Sequence, residues 1–243
     1  MIHVRNLSKI FRIPHAKKKT LFHSIISLAT RNYDFEEFYA INNVDLDVKK
    51  GEFVGIIGRN GSGKSTLLKI ISRIYQPTTG IVHVDEEVFP LLELGVGFQH
   101  DFSVRENVYL YGALLGFSRN EMNKKIFDIL AFAELERFVD ARLEKLSTGM
   151  QVRLAFAIAM QSVMPILLID EVMAVGDTVF QQKCRQVFWD FKRNGKTILF
   201  VSHDVEAVRE YCDRVLVMSQ GMVKYDGDPA GGIGFYQKSV LCV

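Results

Sequence analysis

The chain has 243 residues, 30 Lys and Arg against 28 Asp and Glu, a formal net charge of +2, and 48% hydrophobic residues. That length suits one large α/β domain or a core with a subdomain, and the apolar fraction is ample for a sizeable core. The near balance of charge leaves no electrostatic footprint for nucleic acid, so none is expected as a partner.

Residues 2–11 and 39–48 show short alternating apolar patterns, with Val44, Leu46 and Val48 on one face and Asp45 and Asp47 on the other, and read as half-exposed strands. Met1-Ile2-His3-Val4-Arg5 lacks the apolar h-region of a signal peptide. Between the two strands lies an atypical insertion, about 12–37, with Lys17, Lys18 and Lys19 early, Asp34, Glu36 and Glu37 late, and helical apolar spacing over 21–28. The lysine run, near Arg12, His15 and His23, reads as a solvated loop, with approach to anionic lipid head groups as the rival reading.

Residues 53–57 form a buried apolar run, and Leu67-Leu68-Lys69-Ile70-Ile71 reads as the start of a helix. Between them Gly58-Arg59-Asn60-Gly61-Ser62-Gly63-Lys64-Ser65-Thr66 matches the phosphate-loop pattern G-x-x-x-x-G-K-[ST]. Gly58, Gly61 and Gly63 allow positive φ and close approach, so that successive amides converge on phosphate oxygens at a helix N-terminus. Lys64 supplies charge for the β and γ phosphates, and Ser65 a hydroxyl for Mg²⁺.

Residues 76–80 are a turn and 81–84 a short strand. From 103 to 162 the pattern turns helical, with capping boxes at Ser103/Glu106 and Ser118/Glu121. Within it Leu146-Ser147-Thr148-Gly149-Met150-Gln151 precedes Leu154, Ala155, Ile158 and Ala159 at helical spacing. Ser147 is a good N-cap, and on physics alone a plain cap is its reading, although the same amides would suit an anion. The apolar stretch 154–169 is broken by Gln161, Ser162 and Pro165 and falls short of the ~20 residues of a spanning helix.

The parallel-sheet pattern resumes at 166–169, 197–201 and 214–218, and Gln220-Gly221 turns the chain into 222–225 as a hairpin. Asp170-Glu171 closes the first of these strands, at the end where doubly wound sheets bind ligands. Asp170 is placed to hold Mg²⁺ through water and Glu171 to activate the attacking water, which implies hydrolysis. His203 follows the next strand and should emerge at the same edge. Cys184, Cys212 and Cys242 lack C-x-x-C spacing and fit a reducing compartment, and Cys242 is misplaced for prenylation.

Taken in order, the phosphate loop, Gln99, LSTGMQ, Asp170-Glu171 and Ser202-His203 make the chain similar to the ATP-binding subunits of ABC transporters, over about residues 1–228. The resemblance implies an α/β, P-loop NTPase core with a mostly parallel sheet, an N-terminal antiparallel β subdomain and an inserted α-helical subdomain. It implies one nucleotide-binding domain over 1–243, with 1–98 and 163–243 as RecA-like core plus antiparallel β and 99–162 as the helical part. ATP and Mg²⁺ are the implied cofactors. ATP would be sandwiched head to tail between two copies, with Ser147 and Gly149 of one touching the γ-phosphate bound at Lys64 of the other. Gly58, Asn60, Gly61, Ser62, Gly63, Lys64, Ser65 and Thr66 are the implied cradle, Glu171 and His203 catalytic, Asp177 the D-loop aspartate. Gln99 would join the γ-phosphate and Mg²⁺, held also by Ser65 and Asp170, to a transmembrane partner. Phe11 occupies the adenine-stacking position, with Tyr39 as its competitor. Thr148 and Met150 depart from the usual signature.

Within that family GRNGSGKSTLLK, residues 91–98, the compact 99–104 link, RENVYLYGALLG, MQVRLAFA, AVGD at 174–177 and the long insertion resemble exporters of lipid-linked polysaccharide: O antigen, capsule or teichoic acid. The expected function is therefore an ATPase subunit on the cytoplasmic face of the cell membrane, peripheral to a separate permease. With its end at Val243, the chain is expected to lack the carbohydrate-binding domain that some such subunits add. An importer or small-molecule exporter is the nearest alternative. A soluble ATPase of translation or repair is less compatible, because neither tandem phosphate loops nor sustained heptads occur.

Overall fold

The computed structural model describes residues 1–14, 35–92, 94–162, 164–171 and 177–241. Lys17 to Lys19, His15, His23, the helically spaced stretch 21–28, residues 174–176 and Cys242 lie outside the described residues.

β1 (Ile2–Pro14) pairs antiparallel with β2 (Phe35–Val48) on one side and β4 (Thr79–Val84) on the other. The register Ile2↔Val48, Val4↔Leu46 stacks the apolar faces that the alternation demanded, and all four residues are buried. Both strands run further than their apolar pattern. Arg12↔Glu37, Ile13↔Glu36 and Pro14↔Phe35 prolong the pair, with an Arg12–Glu37 ion pair at 3.5 Å. The ends of the expected insertion are thus strand, because ladder hydrogen bonds need no buried side chain to continue.

The second sheet has the order β5 (Val88–Leu91), β6 (Ile166–Asp170), β7 (Thr197–Val201), β3 (Phe53–Ile57), β8 (Arg214–Ser219), β9 (Met222–Gly227). Its pairs are parallel from β5 through β8, and β9 returns antiparallel. β5 is absent from the sequence reading because Pro90 interrupts its run; a proline is tolerated there because the strand lies at the sheet edge. Gln220 (φ 49°) and Gly221 (φ 74°) make the tight turn into β9.

Both faces of this sheet are covered, which is why its strands are almost uninterruptedly apolar. Phe53, Leu167, Ile169, Ile198, Phe200, Val215 and Val217 face one core with Phe180, Cys184 and Phe188 of α5 (Thr178–Arg193), Val208 and Tyr211 of α6 (Val205–Tyr211), and Ile233 of α7 (Pro229–Leu241). The alternate residues Val54, Ile56, Leu168, Leu199, Val201 and Leu216 face α1 (Lys64–Ile71) and the antiparallel sheet. The result is three layers with the parallel sheet in the middle.

A third core belongs to α2 (Val104–Leu114), α3 (Arg119–Ala133) and α4 (Thr148–Ala159), joined by 3-10 turns at Glu136–Phe138 and Leu143–Lys145. Both expected capping boxes form, Ser103 with Glu106 and Ser118 with Glu121. α4 belongs to two cores at once: Phe156 and Ala159 pack toward the sheet, Leu154, Ala155, Ala157 and Ile158 toward the helices. Phe132 of α3, Phe156 and Phe180 lock this junction, with ring centroids 5.4 to 6.0 Å apart. Among the described residues no helix is long and apolar enough to cross a membrane.

The last helix docks by close approach. A Cβ on Gly232 of α7 would lie 2.0 Å from Val215 Cγ1 of β8 and 3.0 Å from the Tyr225 ring. Gly232→Ala should therefore destabilise the chain by about 1–3 kcal/mol in urea unfolding, with part of the loss recovered in Gly232→Ala/Val215→Ala. An unchanged midpoint for the single variant would show that the helix does not sit this close.

Candidate active site

β6, β7 and β3 are neighbours and parallel, so their C-terminal ends open on one edge. Val201 pairs with Asp170 on one side and Ile56 on the other, so the residues that follow each strand are necessarily neighbours. After β3 comes the glycine-rich loop, at the end of β6 stand Asp170 and Glu171, and two residues beyond β7 comes His203.

The loop needs its glycines for different reasons. Gly61 (φ 78°) and Gly63 (φ 104°) adopt left-handed backbone. A Cβ on Gly63 would also come within 2.4 Å of Ala40 O, and one on Gly58 within 2.3 Å of Met218 O. Loop and surroundings are thus packed backbone to backbone. The β8–β9 turn braces it, since Gly221 N–H donates to Ser62 O at 3.0 Å; nothing local in the loop's sequence signals this support.

Lys64 opens α1 and is buried, its ammonium donating to Gly58 O at 2.9 Å and Arg59 O at 3.1 Å. Burial holds it below the usual lysine range, against the pull of Glu171 and Asp170 toward the charged form. Burial likewise pushes the Asp170 carboxyl up, opposed by a hydrogen bond from Ser65 and aided by the Glu171 charge. The loop is therefore built for an anion. Ser62 Oγ is buried with no hydrogen-bond partner among the described residues, and it lies just before the N-terminus of α1. Ser65 and Asp170 offer hydroxyl and carboxylate oxygen, the donor set of a hard cation such as Mg²⁺.

Glu171 takes a left-handed backbone (φ 55°) while its amide donates to Val201 O at 3.0 Å. That sparsely populated conformation is one that accumulates at functional sites. Its carboxylate meets His203 Nε2 at 2.7 Å, both side chains remaining about half open to solvent. The expected emergence of His203 at the edge that carries Asp170 and Glu171 is what the geometry displays.

Ser147, Gly149 and Gln99 belong to the helical unit, and Asp177 pairs with it. Ser147 caps α4 by accepting from Met150 N at 3.3 Å, and a Cβ on Gly149 would meet nothing nearer than Ser147 Oγ at 4.0 Å. Among the described residues nothing requires a glycine there. Met150 packs partly on the helical core, and Gln151 supplies the polar contact instead, donating to Leu143 O and Leu146 O. Asp177 caps α5 and pairs with Arg153 of α4 at 2.6 Å. Phe11 lies edge-on to Tyr75 at 5.7 Å with the Lys9 ammonium over its ring at 5.2 Å, while Tyr39 is 46% exposed. Asn60 and Thr66 lie on the loop and first turn of α1, exposed and half-buried respectively. Gln99 has an exposed side chain, but its backbone is bonded on both sides to Asn107, a fully buried residue that the sequence reading passed over.

The sequence model of the family described as ABC transporter matches residues 41–174, more than half of the chain. The O-antigen export system ATP-binding protein RfbB of Myxococcus xanthus is 44% identical over 201 residues, 83% of this chain and 46% of that protein. The teichoic acids export ATP-binding protein TagH of Lactococcus lactis is 38% identical over 235 residues, 96% of this chain and 50% of that protein. The chain thus spans about half the length of these two relatives. Among solved structures, the dimeric post-hydrolysis state of the ATP-binding cassette MJ0796 bound to ADP and Pi superposes with a TM-score of 0.74 at 27% identity, covering 94% of this chain and 99% of that one.

Proposed function

Because the chain belongs to the ABC transporter family, we propose that it is the ATP-hydrolysing subunit of an exporter that drives a lipid-linked polysaccharide, of the O-antigen, capsule or teichoic-acid class, across the cytoplasmic membrane. The observation that carries the hydrolytic part is the convergence of Lys64, Ser65, Asp170, Glu171 and His203 at one sheet edge. The export part is supported by the names of the relatives, both ATP-binding proteins of glycan export systems. A separate integral membrane permease carries the glycan, and the chain works against it at the cytoplasmic face.

In this reading the amides of Gly58 to Thr66, with exposed Asn60 at the rim and buried Ser62 within, cradle the phosphates of ATP, and Lys64 exchanges its two carbonyl partners for phosphate oxygens. Ser65, Asp170 and Gln99 hold Mg²⁺, which supplies positive charge against the phosphate oxygens when bound. Glu171 accepts the proton of the attacking water, and His203 orients that carboxylate through its 2.7 Å contact while facing the γ-phosphate. Phe11 stacks on adenine; its ring is already ordered by Tyr75 and Lys9, so little side-chain freedom is lost. Ser147 and Gly149 of a second copy close the site, with Asp177 at the same interface. The open space around Gly149 supports this, since a helix-weakening glycine that meets no constraint among the described residues fits an external contact.

Glu171→Gln should retain ATP, abolish turnover and leave lipid-linked glycan on the cytoplasmic side of cells that carry it. Undiminished hydrolysis would remove Glu171 as the base, and normal glycan export would remove the transport assignment. Gly149→Ala should separate stability from activity: up to ~1 kcal/mol gained in unfolding, from better helix propensity, with ATP-dependent dimerisation impaired. If dimerisation is untouched, Gly149 is not at the nucleotide. For adenine, Phe11→Ala should weaken ATP binding by about fivefold, corresponding to ~1 kcal/mol of stacking, with Tyr39→Ala nearly silent; the reverse result transfers the role to Tyr39.

A further inference from the structure

Asn107 lies in the first turns of α2 and is 0% exposed. Its side-chain oxygen accepts from Gln99 N–H at 2.8 Å, and its side-chain nitrogen donates to Gln99 O at 2.9 Å, Ser103 O at 3.0 Å and Phe102 O at 3.3 Å. One planar amide thereby satisfies both backbone groups of Gln99 and folds the loop 99–103 onto the helix. Only Asn and Gln combine an acceptor with two donors in this way, and Gln is one methylene longer.

The bonding continues past the loop. Leu143 N–H donates to Phe102 O at 2.9 Å and Glu144 N–H to His100 O at 3.1 Å, so the loop also holds the turn that leads to Ser147. Gln151 Nε2 then donates to Leu143 O at 3.1 Å and Leu146 O at 3.2 Å, and Gln151 N–H to Ser147 O at 3.0 Å. From Gln99 to Ser147 the backbone is spanned by hydrogen bonds within the helical unit. On the other side of Gln99, Gly95 (φ 78°) and Gly97 (φ 97°) occupy left-handed backbone where the chain leaves β5 for the helices.

We propose that Asn107 is a positioning residue that makes the Gln99 loop and the Ser147 cap one rigid piece, so that Gln99 cannot engage the nucleotide held by its own chain unless Ser147 moves with it toward the partner's. The inference rests on the reading of Gln99 and Ser147 given above. The amide is fully buried, so it acts only through the segments it holds.

The test uses the full chain carrying Glu171→Gln, with ATP and Mg²⁺, in two measurements: equilibrium ATP binding and dimer formation by light scattering. Adding Asn107→Ala should leave ATP affinity within about twofold and weaken dimer formation by about tenfold or more, as expected when a positioning contact is lost. A general loss of fold would lower both together. Because Asn107→Ala could itself unfold the helical unit, hydrogen exchange on the Glu171→Gln chain with Asn107 intact provides the second arm. The amides of Gln99, Leu143 and Glu144 should gain protection together on adding ATP and Mg²⁺. Equal dimerisation with and without Asn107, or protection of Gln99 with Leu143 and Glu144 unmoved, overturns the inference alone. Failure of the Glu171→Gln chain to dimerise at all overturns the ATP-sandwich reading and the inference with it.

Discussion

The parallel pairing of β6 with β7 and of β7 with β3 is the constraint on which the site depends. Strands of the same direction end at the same edge, so a loop and side chains separated by more than 100 residues in sequence are delivered to one place without any local signal drawing them together. Burial on both faces makes this edge rigid: β3 and β7 are wholly buried, and sliding either one would put its alternate residues into the wrong core. Lys64, Asp170, Glu171 and His203 therefore sit at the ends of fully packed strands.

Rigidity of the sheet has an electrostatic consequence. Lys64 and Asp170 are held where desolvation works against both of their charged forms, and each is stabilised by opposite charge across the cleft. The Lys64 ammonium donates to two loop carbonyls, which carry no countercharge, and Ser62 Oγ has no partner among the described residues. Such a site suits an oxygen-rich anion, because phosphate can accept from the groups that the chain itself leaves underused.

The helical unit is connected differently. It has a core of its own, and it touches the sheet layer through α4, through the Phe132–Phe156–Phe180 rings, and through Arg153 bridging Glu134 and Asp177. Among the described residues the loop 99–103 belongs by its hydrogen bonds to this unit. Gln99 is thus mounted on the helical unit, while Lys64, Asp170, Glu171 and His203 are mounted on the sheet.

The sequence by itself determined what is local. The phosphate loop, the capping boxes at Ser103 and Ser118, the Ser147 cap, the Gln220-Gly221 turn and the apolar core strands each follow from residue types within a few positions of one another. It left out β5, whose Pro90 is tolerable only at an edge that topology creates, and the outer ends of β1 and β2, which pair without burial. Tertiary structure alone decided that His203 meets Glu171, that Gly221 braces Ser62, and that Asn107 holds Gln99. Each of these contacts joins elements whose proximity is set by sheet order or helix packing, and an isolated histidine, glycine or asparagine in a sequence carries no mark of which distant backbone it will face.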